Sequence, residues 1–346
     1  MSLITYLTRI HFADRVLEDA LAEEITRNRV RRPLVICDGA TAGSDGFERL
    51  CDALPTGVAV MAVTTHGVGA ANGSHEIPGD TLPLQDCDGL IGFGGKAALD
   101  WARLAGGPGR PVIAIPTRTE TVGLGPVGGT TPDAPNPRPR LPVAILCDAT
   151  LTLDASPRAT AAAGIDALVH CLESFLSTAF NPPADGIALD GLRRAVQHLE
   201  TAVQNGRDIL ARREMLAAAL NAGLAGEKGY GGVEAASRGL EETVPARHGT
   251  LHGALLCAVL RFNAPAISQR YALIRNAIGL PEDADLGQVL TQLAKRVGLP
   301  LRLSEMGVHA DALPDAARLA AADIANRTNP RLATARDYET MMRAAL

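Results

Sequence analysis

Residues 89–100, Gly89-Leu90-Ile91-Gly92-Phe93-Gly94-Gly95-Lys96-Ala97-Ala98-Leu99-Asp100, decide the fold. A short apolar run ends at Gly94-Gly95, and a helical segment opens at Lys96. A strand–glycine turn–helix unit presents free backbone N–H groups and the positive end of a helix to a phosphate. Gly94 and Gly95 would let the backbone approach, and Lys96 would add a point charge. The same spacing also serves as a plain tight turn.

Working outward, similar apolar runs occur at Pro33–Cys37, Gly57–Val63, Pro111–Ile115 and Val143–Cys147. Between the first of them and the amino terminus, Val16, Leu17, Ala20, Leu21 and Ile25 share one face of a helix spanning about Arg15 to Thr26. Short buried strands separated by helices predict a parallel sheet covered on both faces. Residues 132–142 hold five prolines and read as a loop. After about residue 155 the texture changes. Helical patterns follow one another (Ala159–Ser177, Leu189–Val203, Arg207–Ala225, Leu251–Asn263, Leu286–Val297) without a convincing strand. The expected fold class is α/β plus all-α: a Rossmann-like nucleotide-binding domain over 1–153 and an all-helical domain over 154–346.

Composition narrows the function. The 346 residues are 47% hydrophobic and 21% charged, with a formal net charge of -5 and no long basic run. A nucleic-acid footprint needs clustered basic residues, so nucleic acid is not an expected partner. Aromatics at 3% leave no stacking platform or interfacial belt. No apolar stretch reaches the roughly 18 residues of a membrane span, and no secretory leader is evident. The six cysteines form no CxxC pair, which removes thiolate metal sites. Reduced core thiols and a cytoplasmic location are expected.

Two helix-borne pairs carry the remaining chemistry. Asp166 and His170 are i,i+4, as are His248 and His252. Each pair shares one helix face and can offer oxygen and nitrogen ligands to one metal. Either pair alone is also an ordinary polar pair, but two in the helical half point to a metal or anion site. His11, His66, His75, His198 and His309 have no nameable partner and read as solvated. No GxSxG elbow is present, and no serine lies beside His170, His248 or His252, which argues against a serine hydrolase triad.

Taken together, these segments resemble the iron-containing (group III) alcohol dehydrogenase superfamily, and within it the maleylacetate reductases most closely. The resemblance rests on residues 91–100, Ile115-Pro116-Thr117-Arg118-Thr119-Glu120-Thr121, Ala163–Glu173, Asn181-Pro182, His248-x-x-x-His252, Arg261–Pro265 and Asn329-Pro330-Arg331. It implies an N-terminal nucleotide-binding domain, a helical C-terminal domain, a homodimer, and hydride transfer between NAD or NADP and a small carbonyl or oxo-acid. It places the family's metal ligands, one aspartate and three histidines, on Asp166, His170, Glu234 and His248, with glutamate in one histidine's place. Iron, zinc or manganese would suit that set. A further family histidine, near the nicotinamide, corresponds to Arg238. Arg238 and Arg247 are candidates for a substrate carboxylate, and His252 for a proton relay. The cofactor would contact Asp38, Gly94, Gly95, Lys96, Thr117, Arg118 and Thr121. Lys96 stands where the family has its third glycine, and Arg118, Thr119 and Glu120 replace small residues of the second loop. A dehydroquinate-synthase-like lyase or cyclase, and a diverged ligand-binding protein without catalysis, are the alternative readings.

Overall fold

The computed structural model describes residues 8–39, 41–58, 61–64, 84–106, 109–120, 122, 141–243 and 248–346. Thr121, Arg247 and most of the proline-rich segment lie outside the described residues.

Six strands form one parallel sheet: β1 (Arg9–Phe12), β2 (Pro33–Cys37), β3 (Met61–Thr64), β4 (Gly89–Gly94), β5 (Val112–Pro116) and β6 (Ala144–Cys147). Their order is β1-β6-β5-β4-β2-β3. Helices α1 (Val16–Arg27), α2 (Asp45–Asp52) and α3 (Lys96–Gly106) cover it. The strand alternation explains why the runs are apolar throughout. Val35, Cys37, Ile91, Phe93, Ile113, Ile115, Ala144 and Leu146 pack with Leu17, Leu21 and Ile25 of α1. Leu34, Ile36, Leu90 and Val112 point the other way, onto Trp101, Ala102 and Ala105 of α3. Both faces are buried, as a parallel sheet requires. Each such leucine or isoleucine contributes about 1.5–3 kcal/mol relative to exposure.

Two strands differ from the sequence expectation. Of the described residues in the run at 57–63, Gly57 and Val58 are not strand, and Met61 to Val63 belong to β3. Arg9–Phe12 is a strand that the sequence did not announce, because it is an exposed edge with no continuous apolar run. It is held by β6 and by Glu24 of α1. The Glu24 carboxylate accepts from Arg9 Nε at 2.9 Å, and His11 Nε2 lies 2.9 Å from Glu24 Oε1. His11 is therefore a partnered residue, not a solvated one.

From residue 157 onward the described chain is helical. It comprises α4 (Pro157–Leu176), α5 (Pro182–Gln204), α6 (Ile209–Ala225), α7 (Gly232–Glu241), α8 (His248–Asn263), α9 (Ser268–Ala277), α10 (Leu286–Arg296), α11 (Leu313–Ala322) and α12 (Ala335–Ala344), with short 3-10 turns between several of them. Proline sits at the first turn of α4 and α5, behind the N-caps Ser156 and Asn181, where its missing N–H is not needed. Helix α4 is long and apolar enough to cross a membrane, but 89% of its apolar window is buried inside the protein. It is the central core helix, surrounded by α5, α6, α7 and α8. The sheet and α3 join this core: Leu99 of α3 and Ala114, Ile145 and Cys147 of the strands belong to the same buried cluster. Val122 N–H donates to Ala219 O at 3.2 Å, tying the segment after β5 to α6.

Candidate metal centre and cofactor crevice

The sheet order reverses between β2 and β4, which pair directly while β3 lies outside β2. In open α/β sheets the crevice beyond the carboxyl ends of strands at such a switch point receives the ligand. Asp38 follows β2, Gly94-Gly95 close β4, and Thr117, Arg118 and Glu120 follow β5. The structure thus brings together the described residues expected to meet the cofactor. Their donors are already engaged. Gly95 N–H donates to Asp38 Oδ2 at 3.2 Å, and Lys96 N–H to Glu120 Oε2 at 2.7 Å. Arg118 Nη2 lies 3.2 Å from Asp38 Oδ1, and Lys96 Nζ 2.7 Å from Asp100 Oδ2. Thr117 N–H donates to Gly94 O. In this conformation two carboxylates of the chain, Asp38 and Glu120, take the N–H groups at the start of α3.

Beside the crevice, α4, α7 and α8 converge. Asp166 and His170 sit one turn apart on α4, Glu234 on the first turn of α7, and His248 and His252 on successive turns of α8. Close helix approach makes this possible. A Cβ on Gly249 would lie 2.1 Å from the Ala162 carbonyl oxygen, so only glycine lets the start of α8 reach α4. The Nε2 atoms of His170, His248 and His252 lie 3.0, 2.7 and 3.1 Å from one oxygen, Glu234 Oε2. His170 Nδ1 is 3.2 Å from Asp166 Oδ2, and His252 Nδ1 is 3.7 Å from Asp166 Oδ1. Ligand atoms of Asp166, His170, His248 and His252 all fall within 4.8 Å of one another. All of these side chains are buried except His248, which is half-buried.

The electrostatics follow from this packing. Burial disfavours charge on His170, but Asp166 and Glu234 outweigh it and raise its pKa to about 9. Burial likewise opposes charge on His248, and Glu241 and Glu234 hold its pKa well above the ordinary value. His252 goes the other way: burial and the neighbouring His248 charge push it down to about 4. Burial raises Glu234, yet Arg238 and His248 bring it well below the usual carboxylate range. Burial also raises Asp166, and the histidines reverse that.

A divalent metal fits this donor set. The four clustered residues supply one carboxylate oxygen and three imidazoles, the ligand types that iron, zinc and manganese accept. His252 Nδ1 is buried without a hydrogen-bond partner, a costly arrangement unless something else satisfies the ring. The structure gathers all four ligand positions expected from the sequence and adds His252 to them. Arg238 also lies here, but its guanidinium is taken up by Glu234 Oε1 at 2.7 Å and by Asp323 at 3.3 Å.

Several supporting residues escaped the sequence reading. Glu173 of α4 caps α7: its carboxylate accepts from the N–H groups of Gly231, Val233 and Glu234 at 2.9, 2.6 and 3.0 Å. The three N–H bonds favour its anion, but burial dominates and raises it to about 7. Asn329 Oδ1 accepts from Gly232 N–H, and its amide exchanges hydrogen bonds with Asn263. Glu241 Oε1 lies 3.0 Å from His248 Nδ1 and fixes that ring. Tyr230 lies against His170, ring centroids 4.3 Å apart. Glu173 and Asn329 did stand in family-like segments, but capping by a distant helix leaves no local sequence signal. Glu241 is seven residues from Glu234, on the same face of α7, and that spacing was a usable clue.

Comparison with known proteins places the chain in a family. Residues 160–346, just over half the chain, match the family described as "Fe-containing alcohol dehydrogenase family, C-terminal". A 4-hydroxybutyrate dehydrogenase of Cupriavidus necator is 35% identical, with 100% of both chains covered. An NAD-dependent methanol dehydrogenase of Bacillus methanolicus is 28% identical over 77% of this chain and 79% of its own. Among solved structures, a 1,3-propanediol oxidoreductase superposes with a TM-score of 0.88 at 22% identity, covering 100% of each chain.

Proposed function

The chain belongs to the iron-containing alcohol dehydrogenase family and is an NAD(P)-dependent oxidoreductase; from that premise we propose which of its residues run the reaction, and on what substrate. The proposed metal ligands are Asp166, His170, His248 and His252, with Glu234 beside them. The single observation that carries this is the convergence of three imidazole Nε2 atoms on one point, Glu234 Oε2. When bound, the metal supplies Lewis acidity toward a carbonyl oxygen, and the nicotinamide supplies or accepts hydride.

The chain's own residues do the rest. Asp166 and Glu241 orient His170 and His248 through their Nδ1 atoms. Arg238 holds Glu234 by its second oxygen and is a positioning residue. Tyr230 and the apolar core of α4 wall off water, which strengthens every charge interaction inside the site. The substrate class is a short aldehyde or oxo-acid paired with its alcohol. The full-length similarity to a 4-hydroxybutyrate dehydrogenase favours one bearing a terminal carboxylate. Arg247, adjacent to His248 in sequence, is the candidate for that carboxylate. A cytoplasmic homodimer completes the reading, and the absence of disulfides among the described cysteines is consistent with a reducing compartment.

A screen of short aldehydes and oxo-acids with NADH and NADPH tests it. Reduction of carboxylate-bearing aldehydes at rates above simple alkyl aldehydes is expected. No carbonyl reduction with either dinucleotide would contradict the proposal.

A further inference from the structure

The cofactor crevice contains an anion that its own strand did not have to put there. Asp38 is anchored beside its own strand: Thr41 donates to it through both N–H and Oγ1, at 3.1 and 2.7 Å, Arg118 adds a contact, and Gly95 N–H reaches its other oxygen at 3.2 Å. Glu120 is different. It reaches in from the segment after β5 and takes the N–H of Lys96, the first residue of α3. Its Oε2 lies 2.8 Å from where a Cβ on Gly95 would be, so it fills the very space that glycine leaves open. A carboxylate on the N–H groups at a helix start is held by the same forces as a phosphate. Burial raises the Glu120 carboxyl above its ordinary value, and Arg118, the Lys96 N–H and the Lys96 charge oppose that shift.

We propose that Glu120 is an internal occupant of the diphosphate cradle, which a dinucleotide must displace from the Lys96 N–H in order to bind, so that this residue sets cofactor affinity. The inference rests on the nicotinamide-oxidoreductase reading above. The penalty falls on ligands that carry a diphosphate. Adenosine, which has none, leaves Glu120 in place.

Titration calorimetry of the full-length wild type, Glu120→Gly and Glu120→Gln with NADH, ADP-ribose and adenosine separates the possibilities. Removing a charge-assisted competitor should tighten NADH and ADP-ribose binding by about tenfold or more in Glu120→Gly, with adenosine unchanged. Glu120→Gln, which keeps the bulk and loses the charge, should fall between. If wild type binds NADH and both variants bind it equally or more weakly, the role of Glu120 is wrong while the cofactor reading stands. An equal gain for adenosine also overturns it, since a general loosening of the loop would then be the cause. If no form binds NADH, nor NADPH in its place, the cofactor reading fails, and this inference with it.

Discussion

His252 Nε2 lies 3.1 Å from Glu234 Oε2, the same oxygen that His248 Nε2 meets at 2.7 Å. One helix thus delivers two imidazoles from successive turns to a single point. Position 234, where the resemblance would place a histidine ligand, holds glutamate, and His252 on α8 brings a third imidazole to the cluster. His252→Ala should therefore lower metal affinity by at least about 10–100-fold, while Glu234→Gln should keep most of it. Metal-to-protein ratio after dialysis checks this. The reverse pattern would make Glu234 the ligand and His252 a bystander.

Glu173 holds the start of α7, and so the position of Glu234, through three buried N–H groups. Leaving such donors short of an acceptor costs about 1–3 kcal/mol. Glu173→Gln, whose amide offers one acceptor oxygen in place of two, should lose stability in that range by denaturant melts. It should also weaken metal retention without any loss of a metal-facing group. Unchanged stability would show that α7 is positioned by its other contacts, Asn329 among them.

Gly249 is the point at which α8 touches α4. A methyl group there would collide with the Ala162 carbonyl oxygen at 2.1 Å. Gly249→Ala should be destabilising by about 1–3 kcal/mol, the usual cost of overpacking, and should shift both His248 and His252. A drop in melting temperature accompanied by a loss of bound metal is expected. A variant with wild-type stability would mean that the helices separate freely.

Glu24 provides a pH signature far from the site. Arg9 and then His11 outweigh burial and lower its carboxyl from 4.5 to about 2. A folded-state pKa below the unfolded one stabilises above pH 4.5, and that stabilisation is lost as pH falls through about 2. Arg9 is partly exposed, so the contribution is discounted for solvent screening to about 1–2 kcal/mol. Glu24→Gln should be less stable than wild type at neutral pH by that amount, and the gap should close progressively below pH 4.5. A pH-independent gap would assign the effect to packing.

The sheet was legible because its strands are buried on both faces: Leu34 and Val35 point oppositely, yet both are covered, so the run stands out in sequence. β1 was not, because Ile10 and Phe12 are exposed and the strand is defined by pairing with β6 and by Glu24. Asp166, His170, His248 and His252 were legible through the i,i+4 spacing that helix geometry imposes. What spacing could not give was the relation between elements. Arg238 reads in sequence as a candidate for a substrate carboxylate, whereas in the fold Glu234 and Asp323 take its guanidinium. Glu120 reads in sequence only as an acidic residue in place of a small one, whereas in the fold its carboxylate accepts the Lys96 N–H. Both facts depend on segments that meet only in the folded chain.

The most direct test of the central claim is metal content measured alongside NADH-linked carbonyl reduction while a chelator strips the enzyme and a divalent metal is returned. The account predicts that the rate falls as metal leaves and recovers in proportion as about one ion per chain is restored, as expected of a single mononuclear site. Full activity in protein shown to be free of metal would contradict it.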